Sequence, residues 1–187
     1  YLRLDRTMIL DEAQYRPLEI RRSQDANGQR QVHIVLPTGE TPELASGEIG
    51  GLIELRQQTL PEFLMDLDSL ATGLISEVNN VHRAGPSGVD FFFGTGARDI
   101  AVSAQVEATL GSINTSTSGL PGDNDIALAI SGLRDARVMQ SGTVSLSDHW
   151  SNVVGRLGIA SREATFQKDS LTLTSETLQN RRASESG

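Results

Sequence analysis

The chain has 187 residues, 37% apolar and only 4% aromatic, with a formal net charge of −8 and no cysteine. The missing cysteine excludes disulfides and thiolate metal sites. A nucleic-acid interface is disfavoured too, because no Lys/Arg run exceeds two residues, as at Arg21-Arg22 and Arg181-Arg182.

Residues 1–40 read as strands. Met8-Ile9-Leu10, Leu18-Glu19-Ile20 and Val32 to Leu36 are short apolar segments, and Asp25-Ala26-Asn27-Gly28 is a hairpin turn signal. The segment lacks the pattern of a signal peptide. It opens on Tyr1 rather than Met, as a piece of a longer or processed chain would. Ser46 is a candidate cap for a helix over 46–58, where Gly47, Gly50 and Gly51 weaken the start. Thr59-Leu60-Pro61-Glu62 has the form of a capping box, with Thr59 accepting a backbone N–H and Glu62 reaching back. It predicts a fresh helix start.

From there Leu60, Leu64, Leu67, Ala71, Leu74, Val78 and Val81 are spaced 4, 3, 4, 3, 4, 3, a heptad seam that needs a partner helix. The expected partner lies at the other end of the chain. Ser145-Leu146-Ser147-Asp148 resembles a second capping box, and Leu146, Trp150, Val153, Leu157, Ala160 and Ala164 follow at heptad spacing. Leu171 and Leu178 continue the line, with Gln167 and Thr174 between them. Between the long helices, Phe91-Phe92-Phe93 before Gly94-Thr95-Gly96 reads as an apolar plug at a turn. Ile100-Ala101-Val102 reads as a short strand and 111–124 as loop. Asp123 or Asn124 can cap a helix through about Met139. No apolar run approaches the roughly 20 residues that cross a bilayer.

The search for chemistry turns on the cluster Ile75 to Gly85, which holds Asn79, His82, Arg83 and Gly85. A catalytic histidine wants a carboxylate or nucleophile within reach, and Glu77 lies off its helical face. Zinc needs three or four ligands, and the three histidines, His33, His82 and His149, fall in a strand, a helix end and a helix start. The expectation is therefore a helix terminus. His82 and Arg83 meet the negative end of the dipole, Gly85 takes the left-handed conformation, and Pro86 stops continuation. Adjacent Ser147, Asp148 and His149 point in different directions and cannot form a triad. Gly94-Thr95-Gly96 lacks a third glycine and a P-loop lysine. Asp123, Asn124 and Asp125 lack the EF-hand spacing. No cofactor, metal or catalytic residue is expected, and the chain reads as structural rather than enzymatic.

The ordered motifs resemble the flagellar hook-associated protein 1, or FlgK, family. Gly47-Glu48-Ile49-Gly50-Gly51-Leu52-Ile53-Glu54-Leu55-Arg56 is similar to its G-x-L-x-G-L-L-x-x-R segment. Asn79, His82 and Gly85 match its N-x-x-H-x-x-G helix end, and Asp90, Phe91 and Phe92 its following aspartate and aromatic pair. Gly122-Asp123-Asn124 resembles its G-D-N segment, and Val154-Gly155 its V-x-x-V-G pattern. Residues 179–187 resemble the run before its S-G-V-N-x-D-E-E signature, which the sequence does not include.

The resemblance implies an α+β fold: an elongated, flagellin-like bundle of long antiparallel helices with a small β subdomain. Residues 1–43 would be the tail of an inserted β domain, and 44–187 a helical rod domain with a short mixed insertion at about 86–122. The rod helices would be 59–84 and 145–184, with 124–139 alongside. Asn79 and His82 would bond turn backbone rather than substrate. The implied function is a structural subunit joining flagellar hook to filament, exported through the flagellar channel without a cleaved signal peptide. Implied partners are the hook protein, other hook-associated proteins and copies of itself. A dedicated chaperone acts on a C-terminal segment that these residues do not include, and no membrane or nucleic-acid partner is implied. The isolated chain is expected to be a monomer. The rival readings are another hook-associated or flagellin-like filament subunit, and an adhesin-type binding module.

Overall fold

The computed structural model describes residues 2–4, 7–11, 14–15, 17–24, 30–36, 38–39, 41 and 47–186. The Asn27-Gly28 turn and the Ser46 cap lie outside the described residues. The fold is mixed helix and strand, and the chain divides into two compact units, Tyr1–Leu64 and Met65–Gly187.

In the first unit, β1 (Leu2–Leu4), β2 (Thr7–Asp11) and β3 (Gln14–Tyr15) form an antiparallel sheet in that order. A separate hairpin pairs β4 (Glu19–Gln24) with β5 (Arg30–Val35), with Arg21 opposite His33 and Arg22 opposite Val32. A strand edge leaves carbonyls unpaired. Here Arg56 donates to the Arg30 carbonyl at 3.4 Å and Gln57 to that of Val32 at 3.1 Å. These bonds tie the β5 edge to the helical segment that begins with α1 (Gly47–Glu54). Val35 and Leu36 are buried.

The predicted break at Thr59 is absent. Helix α1 continues through a π turn, Leu55–Thr59, into α2 (Leu60–His82). Thr59 is therefore helical, and Thr59 and Glu62 form no capping box. Pro61 supplies the reason. Inside a regular helix its ring would clash with the carbonyl four residues back and its missing N–H would leave a gap. A widened turn just before it, with Leu60 N–H bonded to the Leu55 carbonyl, absorbs the misfit without ending the helix.

In the second unit, α2 meets two small hairpins: β6 (Phe92–Phe93) with β7 (Ala101–Val102), and β8 (Arg137–Met139) with β9 (Val144–Ser145). Short helices α3 (Ala104–Ala108) and α4 (Asp125–Gly132) fill the connections. The core is Val78, Leu133, Met139 and Leu146, with Leu70, Leu74, Phe91, Phe92 and Ile130 packed around it. Helix α4 stops at Gly132 rather than running to Met139, because Val138 and Met139 are drawn into β8 and Met139 is buried in the core. Its cap residue is Asn124, but the Asn124 side chain makes no capping bond. Asp123 instead accepts from the Ser118 hydroxyl at 2.5 Å.

Helix α5 (Leu146–Ser186) is capped by Ser145, whose Oγ accepts from the Asp148 N–H at 3.0 Å. Its buried line is Leu146, His149 and Val153, not the line through Trp150, which is 45% exposed. His149 Nε2 donates to the Asp66 carbonyl at 3.3 Å, and Arg156 pairs with the Asp66 carboxylate. Past Val153 every described side chain of α5 is exposed. The expected seam between long helices is thus limited to the first two turns of α5, because among the described residues of this unit nothing covers the Leu157–Leu178 line.

Candidate functional site

The motif residues converge where α2 ends. The seam along α2 buries Ala71 and Val78, and the same face carries Asn79 and His82 inward at its last turn. His82 is 0% exposed. Its Nδ1 lies 2.8 Å from the Val89 carbonyl, and its Nε2 lies 2.8 Å from the backbone N–H of Asn114. A carbonyl can only accept and an N–H can only donate, so the ring is the tautomer with hydrogen on Nδ1. The Asn114 side chain answers by donating to the His82 carbonyl at 2.7 Å and accepting from the Ser87 N–H at 3.1 Å. Each residue therefore binds the other's backbone.

Asn79 repeats the device one turn earlier. Its amide donates to the Phe92 carbonyl at 2.9 Å and accepts from the Phe92 N–H at 2.8 Å, substituting for a strand beside β6. Phe91 stands edge-on to His82, ring centres 5.3 Å apart, and Phe92 edge-on to Phe91 at 4.9 Å. This geometry favours aromatic pairs. The Asp90 carboxylate takes an ion pair from Arg83 at 2.7 Å, with both side chains nearly half exposed. The Asp90 carbonyl accepts from Ser103 Oγ at 2.6 Å. Among the described residues, no buried side-chain polar atom lacks a partner.

Gly85 does not adopt the left-handed conformation expected of it. It is needed for space: a Cβ there would sit 2.3 Å from Asn114 Cγ. The helix ends instead in tight turns, Ala84 N–H to the Val81 carbonyl and Gly85 N–H to that of His82.

Two carboxylates order the neighbouring loops. Asp99 accepts from the N–H groups of Thr95 and Gly96 and from the Thr95 hydroxyl. Those bonds, the Thr95 N–H first, hold its carboxyl below the ordinary value. That turn is fastened to α2 by Asp68, which accepts from Ala97 N–H, and by Thr72, which donates to the Thr95 carbonyl. Asp125 is likewise lowered, chiefly by the Thr117 hydroxyl and then by the Thr117 N–H. Sequence reasoning passed over Asn114, Ser103 and Asp99. An asparagine inside a Gly/Ser/Thr-rich run, and Asp99 four residues after Thr95, were the available turn signals.

The arrangement offers no reacting groups. Among the described residues, no three His, Cys, Asp or Glu side chains converge to hold a metal, and the polar atoms of Asn79 and His82 face backbone. Residues 2–92, most of them leading to and through this turn, match the family described as flagellar hook-associated protein FlgK helical domain. The match covers the motifs from Gly47 to Phe92 on which the resemblance rests. A relative, flagellar hook-associated protein 1 of Bacillus subtilis (strain 168), is 31% identical over 120 residues. That alignment covers 56% of this chain and 24% of the relative, so the chain spans about a quarter of that protein's length. No solved structure matches the chain. Both matches are described as flagellar hook-associated proteins, which supports the structural, non-enzymatic class read from the sequence. No described helix is long and apolar enough to cross a membrane.

Proposed function

We propose that this chain is part of the joint between flagellar hook and filament. The observation that supports it most is the His82 turn, where Asn79, His82 and Asp90 of the family motif all hold backbone or close an ion pair. That is what a load-transmitting body requires where a long helix reverses. In this reading residues 44–187 form a rod domain of the assembled joint and 1–43 the tail of an inserted β domain. Its neighbours are the hook protein, other hook-associated proteins and further copies of the chain, reached by export through the flagellar channel. Immunogold labelling of purified flagella with antibody against this chain tests the assignment. Gold confined to the point where hook meets filament is expected; gold spread along the filament would reassign the chain to a flagellin-like role.

A further inference from the structure

The last turn of α2 holds a histidine whose two ring nitrogens are both engaged and out of reach of water. The Nδ1 hydrogen of His82 goes to the Val89 carbonyl, and the Nε2 lone pair takes the Asn114 N–H. The first bond tolerates a second proton on the ring. The second does not, because a hydrogen on Nε2 would point at another N–H. The imidazolium can therefore form only once residue 114 has left the ring. That departure also strips the His82 carbonyl and the Ser87 N–H of the Asn114 side chain that holds them. No neighbouring charge relieves the conflict. Arg83 and Asp90 are the charged residues of 83–92, and they pair with each other, both nearly half exposed. Residues 112–116 carry no charge. The other buried histidine of this unit, His149, donates from Nε2 to the Asp66 carbonyl. A second proton on that ring leaves its bond intact.

We propose that His82 and Asn114 form an acid-released latch, in which uptake of one proton by the His82 ring frees segment 112–116 from the end of α2. The open turn binds this proton and the closed turn does not. The closed form is therefore fully favoured above the ordinary imidazole value of about 6.5 and loses ground as pH falls below it. Because one proton is taken up, the opening constant should rise about tenfold for each pH unit in that range. This window lies above the one in which the Asp99 and Asp125 loops lose their support, since both of those carboxyls are held below the ordinary Asp value. The latch is a property of the chain wherever in an assembly it is placed.

Amide exchange of the full chain from about pH 7.5 to about pH 4.5 tests this, with rates corrected for the intrinsic effect of pH. Protection of the Asn114 amide is expected to stay level above about pH 6.5 and then to fall about tenfold per pH unit. Nitrogen NMR of the ring, read in the same samples, should show His82 neutral with its hydrogen on Nδ1 for as long as Asn114 is protected. His82→Gln places near Nε2 an acceptor that takes up no proton in this range, and should flatten the Asn114 profile; His149→Gln should leave the slope in place. If His82→Gln does not fold, the two readings on the unaltered chain decide alone. Level protection of Asn114 down to about pH 4.5, an imidazolium signal from His82 while Asn114 stays protected, or a slope that moves with His149 instead would overturn the latch.

Discussion

His82→Ala is the sharpest probe of the turn. The substitution removes a ring with no solvent exposure and leaves the Asn114 N–H and the Val89 carbonyl without their partner. Each stranded buried group costs about 1–3 kcal/mol, and the vacated space under Phe91 adds a cavity contribution. The two groups together give about 2–6 kcal/mol before the cavity is added, a large share of the stability of a domain this size. The neighbouring Arg83→Ala supplies the contrast. It breaks an ion pair whose partners are both nearly half exposed, and such pairs are worth about 0–1 kcal/mol. Urea unfolding followed by Trp150 fluorescence reads the second unit, to which all these residues belong. If His82→Ala costs less than about 1 kcal/mol, or no more than Arg83→Ala, the turn is not the keystone its hydrogen bonds suggest.

Gly85→Ala should cost about 2 kcal/mol or more by the overpacking route, since its new methyl meets Asn114 at 2.3 Å; thermal melts read this directly. Gly94→Ala should be as harmful, because Gly94 has φ +121° and a Cβ there meets the Asp99 carbonyl oxygen at 2.5 Å. The lowered carboxyls of Asp99 and Asp125 stabilise their loops above the unfolded Asp value of about 3.9, and the support is lost as pH falls through the folded values. Amide exchange of Thr95, Gly96 and Thr117 should therefore rise below about pH 4, and Asp99→Asn should remove that dependence at Thr95 and Gly96. Along α5, Val153→Ala should cost about 1–3 kcal/mol and Leu157→Ala within about 0.5 kcal/mol. Equal losses at both would mean that packing continues past the point described.

Much of the frame could be read from residue spacing. The α2 seam from Ala71 onward, the strands around Leu10, Ile20 and Val35, and the strand at Ala101-Val102 follow from local pattern; the strand at Phe92 that pairs with Val102 does not, since Phe91-Phe92-Phe93 reads as an apolar plug. Errors arose where a local signal was outweighed. The capping pattern at Thr59 is real in composition, but a π turn lets the chain accommodate Pro61 and remain helical. Met139 belongs to a helical stretch by pattern, yet the core takes it as a strand residue. Trp150 sits on a good heptad, but the side of α5 that meets Asp66 and the β8–β9 hairpin is the one through His149. Asn114 was invisible for a different reason. Its importance comes from a backbone N–H and an amide that meet a residue 32 positions away, and periodicity carries no information about such a meeting.

That separation has a kinetic consequence. Helix α2 can form from local contacts, but the last two acceptors of its histidine turn are satisfied only when residue 114 arrives, after a loop of 32 residues closes. Loop closure of this length is entropically unfavourable before any contact compensates it. The lock on the helix end therefore belongs to the late part of folding and the early part of unfolding. Weakening it at Asn114 should leave the folding rate nearly unchanged and speed the escape from the native state, so the residue acts as a brake on opening rather than a guide to closing.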